Sequence, residues 1–228
     1  MRRTLSLLTA SLSLVAAASA LAAEPATNPR GFTAEDLVML DRVSAPQFSP
    51  DGSRILYALR ETNWEADRGV GSLWVTGPSD GHGTRLTPAD LLASSGAWSP
   101  DGEFVYFLSA KSGSMQVWRV PATGGDAAQV TDFPLGVGSF RLSPDGDALA
   151  LSFEVFADCA TLACTAERHK ANAEDKRTGV QYDRIFVRHW DTWKDGTRSQ
   201  VFLSPIGADG KATGEPRLLT KGIDGDVP

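Results

Sequence analysis

The stretch Tyr182 to Gly196, YDRIFVRHWDTWKDG, carries the densest mixture of polar and aromatic side chains in this 228-residue sequence. Within it, Arg188, His189, Trp190, Asp191 and Trp193 bring together a cation, a base, a carboxylate and two broad apolar rings. Such a set can line a path along which a substrate moves, gripping it by stacking and by charge. It also has a plainer reading, and the favoured one: the tryptophans dock on a neighbouring core while the charges stay in water. In a third reading, Trp190 and Trp193 are a carbohydrate- or peptide-binding surface in their own right.

Bond-making chemistry is harder to find. A Gly-x-Ser-x-Gly nucleophile elbow is absent; the nearest strings are GVGSL at Gly69 and GVGSF at Gly136, which read as loops before strands. A P-loop and a strand-linked Gly-x-Gly-x-x-Gly are absent as well. His82 lies in the turn-like DGHGT and His169 in a charged helical stretch, both expected to face solvent. No Ser-His-Asp constellation can be assembled. No catalytic, cofactor-binding or metal-binding residue is therefore assigned, and no cofactor is expected.

Cys159 and Cys164 form CATLAC. Their separation excludes a C-x-x-C redox pair, and no second Cys or His pair lies at zinc-site spacing. The expected state is a disulfide, provided the chain is exported. The N-terminus supports export. Arg2 and Arg3 precede an apolar run from Leu5 to Ala20, and Ala20-Leu21-Ala22 fits a small-x-small cleavage site. Residues 1–22 thus read as a signal peptide cleaved near Ala22. The run is shorter than the ~20 residues of a spanning helix, and nothing later is apolar enough to span. The expected location is periplasmic or secreted, off the membrane once the leader is removed.

The leader holds two of the basic residues and no acid, so its loss moves the formal charge from -6 to -8. An acidic chain without basic runs argues against nucleic acid as a partner. Composition sets no oligomeric state.

The elements that must position these residues follow from a repeat. Residues 23–43 comprise a linker and a short helix opened by Thr33, with Asp36 in its first turn, Phe32 and Leu37 in staple positions, and an expected end near Arg42. It reads as a lid or brace before the main fold. The string Ser-Pro-Asp-Gly then occurs at Ser49, Ser99 and Ser143. Each copy is followed by strand formers (Ile55 to Leu59, Phe104 to Leu108, Ala148 to Phe153), by a second strand (around Trp74, Trp118 and Phe202), and by a short strand ending in Leu-Thr or Val-Thr at Thr87, Thr131 and Thr220. Four short strands per repeat make one blade of a β-propeller.

The predicted fold is therefore all-β: a partial β-propeller of about three four-stranded blades over 44–228, with blades near 44–93, 94–138 and 139–228. From Asp51 to Thr87 is 36 positions and from Asp101 to Thr131 is 30, yet from Asp145 to Thr220 is 75. A helical and aromatic insertion at roughly 157–198 in the third blade explains the difference, with a charged helix expected from Thr165 to Arg177. The repeated tetrapeptide itself reads as a turn. Pro presets φ, Asp takes the next position, and Gly accepts the left-handed conformation. Asp51, Asp101 and Asp145 are then turn residues rather than metal ligands or acid-base carboxylates.

FTAEDLVMLDRVSAPQFSPDG, CATLAC and YDRIFVRHWDTWKDG resemble the exported bacterial peptidases of the prolyl oligopeptidase family, the dipeptidyl aminopeptidase and acylaminoacyl peptidase group. The Ser-Pro-Asp-Gly repeat is shared with TolB-like propellers; the Tyr182 to Gly196 stretch is the more specific part. The resemblance implies a propeller that gates access of peptides to an α/β-hydrolase domain carrying the catalytic Ser, Asp and His. That hydrolase domain is absent from this sequence, so the chain alone is expected to be inactive, poorly soluble or partly unfolded, and peptide substrates to be handled through the missing domain. The alternative is a TolB-like periplasmic propeller that acts as a protein-binding module.

Overall fold

The protein is described by a computed structural model for residues 30–79, 82–182, 187–223 and 225–227. The expected leader, most of the linker after it, and Asp183 to Phe186 of the aromatic stretch lie outside the described residues. The chain forms two units that divide between Leu37 and Val38. In the first, Thr33 caps helix α1 (Ala34–Met39). Its hydroxyl accepts the Asp36 amide at 3.2 Å, while the Asp36 carboxylate accepts the Thr33 amide at 2.8 Å. These two reciprocal bonds form a capping box. Phe32 and Leu37 are both exposed. The helix ends at Met39 rather than near Arg42, because Arg42 already pairs with Arg60 in a sheet.

Among the described residues, three four-stranded antiparallel sheets form the body of the second unit. The first holds β1 (Arg42–Phe48), β2 (Ile55–Asn63), β3 (Arg68–Thr76) and β4 (Thr84–Arg85), in that spatial order. The second holds β5 (Ser94–Trp98), β6 (Phe104–Ser109), β7 (Gln116–Pro121) and β8 (Ala128–Gln129), again in order. In the third, β9 (Ser139–Leu142) and β10 (Ala148–Phe156) are followed by helix α2 (Leu162–Glu174) and by the hairpin β11 (Arg188–His189) and β12 (Thr192–Trp193). The sheet resumes with β13 (Thr197–Pro205) and β14 (Arg217–Leu218). Phe156 pairs with Thr197, so the insertion spans 157–196 and ends two residues earlier than its sequence spacing indicates.

The core lies between sheets. Strand β6 reads FVYFLS, and its two faces go to different neighbours. Val105 and Phe107 pack with Leu56 and Leu73 of the first sheet. Tyr106 and Leu108 pack with Leu149, Leu151 and Phe153 of the third. A strand buried on both faces has no use for polar alternation, which is why its sequence is an unbroken apolar run. Each fully buried aliphatic or aromatic side chain contributes about 1.5–3 kcal/mol.

The three Ser-Pro-Asp-Gly turns are built alike. Gly52, Gly102 and Gly146 hold φ of 72°, 72° and 80°, a region open to glycine at little cost. Their amides donate to the carbonyls of Ser49, Ser99 and Ser143 at 2.8, 2.9 and 3.0 Å, closing the turns. Each serine hydroxyl accepts the amide five residues on, from Arg54, Phe104 and Ala148, at 2.9 Å. It also donates to a carboxylate: Asp51, Asp101, and in the third copy both Asp145 and Asp147. The Ser99 hydroxyl, then the Glu103 amide, holds the Asp101 carboxyl below the usual range; Asp51 is lowered first by the Ser49 hydroxyl and then by that of Ser53, and Asp145 first by the Ser143 hydroxyl and then by the Asp147 side chain. Successive turns touch. A methyl group on Gly102 would stand 3.5 Å from Pro50 Cδ, and one on Gly146 would stand 3.3 Å from Pro100 Cδ.

The closing threonines have a defined task. The Thr87, Thr131 and Thr220 hydroxyls accept the amides of Leu73, Val117 and Val201 at 2.8, 2.9 and 3.2 Å. In the second and third sheets the same hydroxyls donate to Gln116 Oε1 and Gln200 Oε1, at 2.7 and 2.6 Å. Those glutamines in turn bind carbonyls of the segment that leaves the sheet, at Phe133 and Leu135 or at Ile223 and Gly225.

Two outcomes follow. Thr131→Val keeps the shape but strands the buried Val117 amide and leaves Gln116 Oε1 with the Phe133 amide alone; it should lower stability by about 1–3 kcal/mol in denaturant unfolding, with Thr131→Ser close to wild type. Depressed carboxyls stabilise the fold above their unfolded value of about 3.9 and lose that contribution as pH falls through the lower folded value. Asp101→Asn should therefore be less stable than wild type at pH 6, and the gap should narrow steadily on titration toward pH 2. A constant gap would show that the carboxylate charge is irrelevant.

Candidate binding surface

The insertion is fastened at its root. Cys159 and Cys164 form a disulfide with Cα atoms 5.5 Å apart. The Thr161 hydroxyl caps α2 by accepting the Cys164 amide at 3.2 Å, which starts the helix at Leu162, three residues before the charged stretch that marks it in sequence. Leu162 is buried in the core shared with β10, and the buried Thr165 hydroxyl accepts the Phe156 amide at 3.3 Å. Arg168 grips Asp158 through two bonds of 2.7 and 2.9 Å and lies 4.5 Å over the Phe156 ring. His169 packs on the same ring at 5.2 Å, so it is half-buried rather than facing solvent; His82 is exposed. The helix stops at Glu174, where the Asp175 carboxylate turns to the Arg177 amide and guanidinium instead.

Beyond the helix the chain returns through the hairpin. Arg188 pairs with Trp193 and His189 with Thr192, leaving Trp190 and Asp191 at the tip. Trp190 holds φ of 50° there, an uncommon conformation for a bulky residue. All five residues singled out in the sequence are exposed. The structure joins Arg188 to Trp193, with the guanidinium 5.2 Å from the ring centroid, and sets His189 edge-on to Trp190 at 6.2 Å. Tyr182 stacks on Trp193 at 6.1 Å, an aromatic partner that spacing alone does not reveal. Docking of the tryptophans on a core does not occur: Trp190 is 84% exposed and Trp193 59%. A two-strand hairpin reached through a long connection has no sheet face to bury them.

A groove of about 470 Å³ separates the end of α2 from this hairpin, with Val180, Tyr182, Trp193 and Lys194 on its walls. Two ion pairs lie near it. Asp175 pairs with Arg177, and Lys194 Nζ lies 3.1 Å from Asp226. The Asp226 carboxyl is lowered chiefly by the Ser199 amide and then by Lys194. Withdrawal from solvent and then repulsion from Asp226 raise the Glu154 carboxyl. Withdrawal from solvent also acts on Asp195, yet bonds from the Thr197 hydroxyl and amide outweigh it and leave that carboxyl low.

Repeated four-stranded antiparallel sheets, joined in order and packed face to face, define a β-propeller protein. Residues 38–163, more than half of the chain, match the TolB beta propeller domain, and the chain belongs to that family. Among curated proteins it is 31% identical over 122 residues to the uncharacterized peptidase YuxL of Bacillus subtilis, covering 53% of this chain and 19% of that protein. It is 27% identical over 177 residues to dipeptidyl-peptidase 5 of Porphyromonas endodontalis, covering 77% of this chain and 24% of that protein. The chain thus spans about a fifth to a quarter of the length of these relatives. The acylaminoacyl peptidase of Pyrococcus horikoshii shares the fold at a TM-score of 0.55 and 14% identity, over 81% of this chain and 26% of that one. Among the described residues no helix is long and apolar enough to cross a membrane.

Opening the disulfide should act locally. Replacing both Cys159 and Cys164 with serine removes a short ring whose closure is worth about 2 kcal/mol. Hydrogen exchange should speed up in the first turn of α2 while the β10 and β13 amides keep their protection. Equal loosening of the whole third sheet would show that the bridge holds more than the insertion.

Proposed function

We propose that this chain is the propeller region of an exported serine peptidase of the prolyl oligopeptidase family, acting on peptides in the manner of a dipeptidyl or acylaminoacyl peptidase. One observation carries the reading. The likeness to dipeptidyl-peptidase 5 spans 177 residues, 77% of this chain, and so reaches beyond the residues 38–163 that match the TolB propeller domain. TolB-like propeller repeats alone account only for the residues of that domain match. The propeller blades at 44–93, 94–138 and 139–228 then restrict access of large substrates, and the exposed hairpin with Arg188, His189, Trp190, Asp191 and Trp193 faces the path they take. The catalytic Ser, Asp and His belong to a hydrolase domain outside this sequence, so these 228 residues alone cleave nothing. The disulfide fits a periplasmic or secreted location with the leader removed near Ala22.

The second reading, a TolB-like propeller that binds a protein partner without chemistry, rests on the family match over residues 38–163. Reading the coding sequence past codon 228 separates the two. An in-frame Gly-x-Ser-x-Gly followed by Asp and His, with hydrolysis of an unblocked or N-acylated peptide by the full-length protein, supports the peptidase. Further Ser-Pro-Asp-Gly repeats running straight to a stop codon overturn it in favour of the binding module.

A further inference from the structure

We propose that the groove between α2 and the β11–β12 hairpin is a peptide-binding site in its own right, taking an extended segment with one large apolar side chain. Three observations carry it. The first is an open main chain. Residues 175–181 run exposed from the end of α2 outside any helix or strand, and Thr178, Gly179 and Val180 have no hydrogen-bond partner among the described residues. Main-chain groups presented in this way are what an extended peptide pairs with when it adds to an exposed edge. The second is the opposite wall, where Tyr182 and Trp193 stack at 6.1 Å and Arg188 braces the Trp193 ring at 5.2 Å. Large ring surface left 59% exposed on Trp193, beside Val180 at 76%, favours an apolar partner side chain.

The third observation is charge. Two ion pairs beside the groove are satisfied, Asp175 with Arg177 and Lys194 with Asp226, and the Asp195 carboxylate on its wall is held by the Thr197 amide and hydroxyl, so among the described residues the site presents no unpaired cation to select an acidic ligand. The volume of about 470 Å³ lies within the usual range of roughly 300–1,000 Å³ for ligand sites. A sugar would also stack on the rings, and the test below includes one. The choice of a peptide as ligand class rests on the peptidase reading above; the location and the preference for an apolar side chain do not.

The test uses the full-length protein, treated with a serine-directed organophosphonate so that no probe is consumed. The probe is acetyl-Ala-Ala-Phe-Ala-Ala-amide, and binding is read by isothermal calorimetry. Trp193→Ala should weaken binding by about tenfold, the scale of one lost ring contact. Val180→Asp, at an exposed position that the fold does not need, should weaken it severalfold, and Trp193→Phe should restore most of the affinity. Replacing Phe by Ser in the probe, or methylating the amides on either side of it, should abolish measurable binding. Equal affinity for wild type, Trp193→Ala and Val180→Asp would overturn the site, as would absence of binding at millimolar probe or tighter binding of maltohexaose. The two proposals fail separately. Peptide hydrolysis whose KM is unmoved by Trp193→Ala removes the groove and leaves the peptidase. Trp193-dependent probe binding by a protein without hydrolase residues removes the peptidase and leaves the groove.

Discussion

The packing of one sheet against the next is the constraint from which the rest of the second unit follows. A single blade of a repeat architecture cannot bury its hydrophobic face by itself. Here the middle sheet solves the problem by burying both faces, with Val105 and Phe107 turned one way and Tyr106 and Leu108 the other. The two cores are thus linked through the middle sheet, with β6 and, through Val117 and Val120, β7 supplying side chains to both. Neighbouring sheets also exchange polar contacts at their margins. Arg54 donates to the carbonyls of Ala122 and Gly102 at 3.1 and 3.0 Å while lying 4.8 Å from the Trp98 ring centroid, and Arg119 reaches the Asp209 carbonyl at 2.9 Å above Phe104. Each arginine lays its stem and flat head over apolar surface and spends its donors on main chain that would otherwise be left open.

Once the sheets must stack, their ends must match, and this explains the economy of the repeated motifs. A turn that joins the first and second strand of every sheet has to be the same height and shape each time, because the next turn lies close: a side chain on Gly102 would meet Pro50 and one on Gly146 would meet Pro100. Serine and aspartate lock that shape internally, so it does not depend on which strand residues follow. At the outer edge the fourth strand is only two residues long in every sheet. The threonine hydroxyl extends the pairing by one bond where the backbone has already turned away, and glutamine ties that bond to the exit segment. The first sheet has Ser72 where the others have glutamine; its hydroxyl takes the Trp74 indole N–H at 2.9 Å instead.

How much of this could be read from the sequence depends on the range of the forces involved. The turns were legible because Pro, Asp and Gly act within four residues, and the three-sheet order followed from counting them. The insertion was legible as a break in the spacing between Asp145 and Thr220. The limits were set by pairing at a distance. Arg42 belongs to a strand because Arg60 lies opposite, so the end of α1 could not be fixed locally. The Thr–Gln bonds join residues 15 and 20 positions apart and appear only when the third and fourth strands meet. For α2, CATLAC drew attention to its cysteines and away from Thr161, whose capping bond sets the helix start. At the hairpin, composition identified the residues but not their exposure, since burial of Trp190 and Trp193 depends on whether any surface lies behind them.

That last point bears on what the insertion is for. An exposed indole costs hydration, and a tryptophan held at φ of 50° adds backbone strain of order 1–3 kcal/mol. Neither is needed to turn two short strands, a job for which Asn-Gly would be better suited. Meanwhile the root of the same insertion is secured by a disulfide, a helix cap, a buried threonine and a bidentate ion pair. A segment whose only task was to connect β10 to β13 would need none of them, since the other two sheets make the same link in a few residues. Firm anchoring at one end and unfavourable exposure at the other is the arrangement expected of a surface that presents rings to a partner, with the sheet as its rigid base.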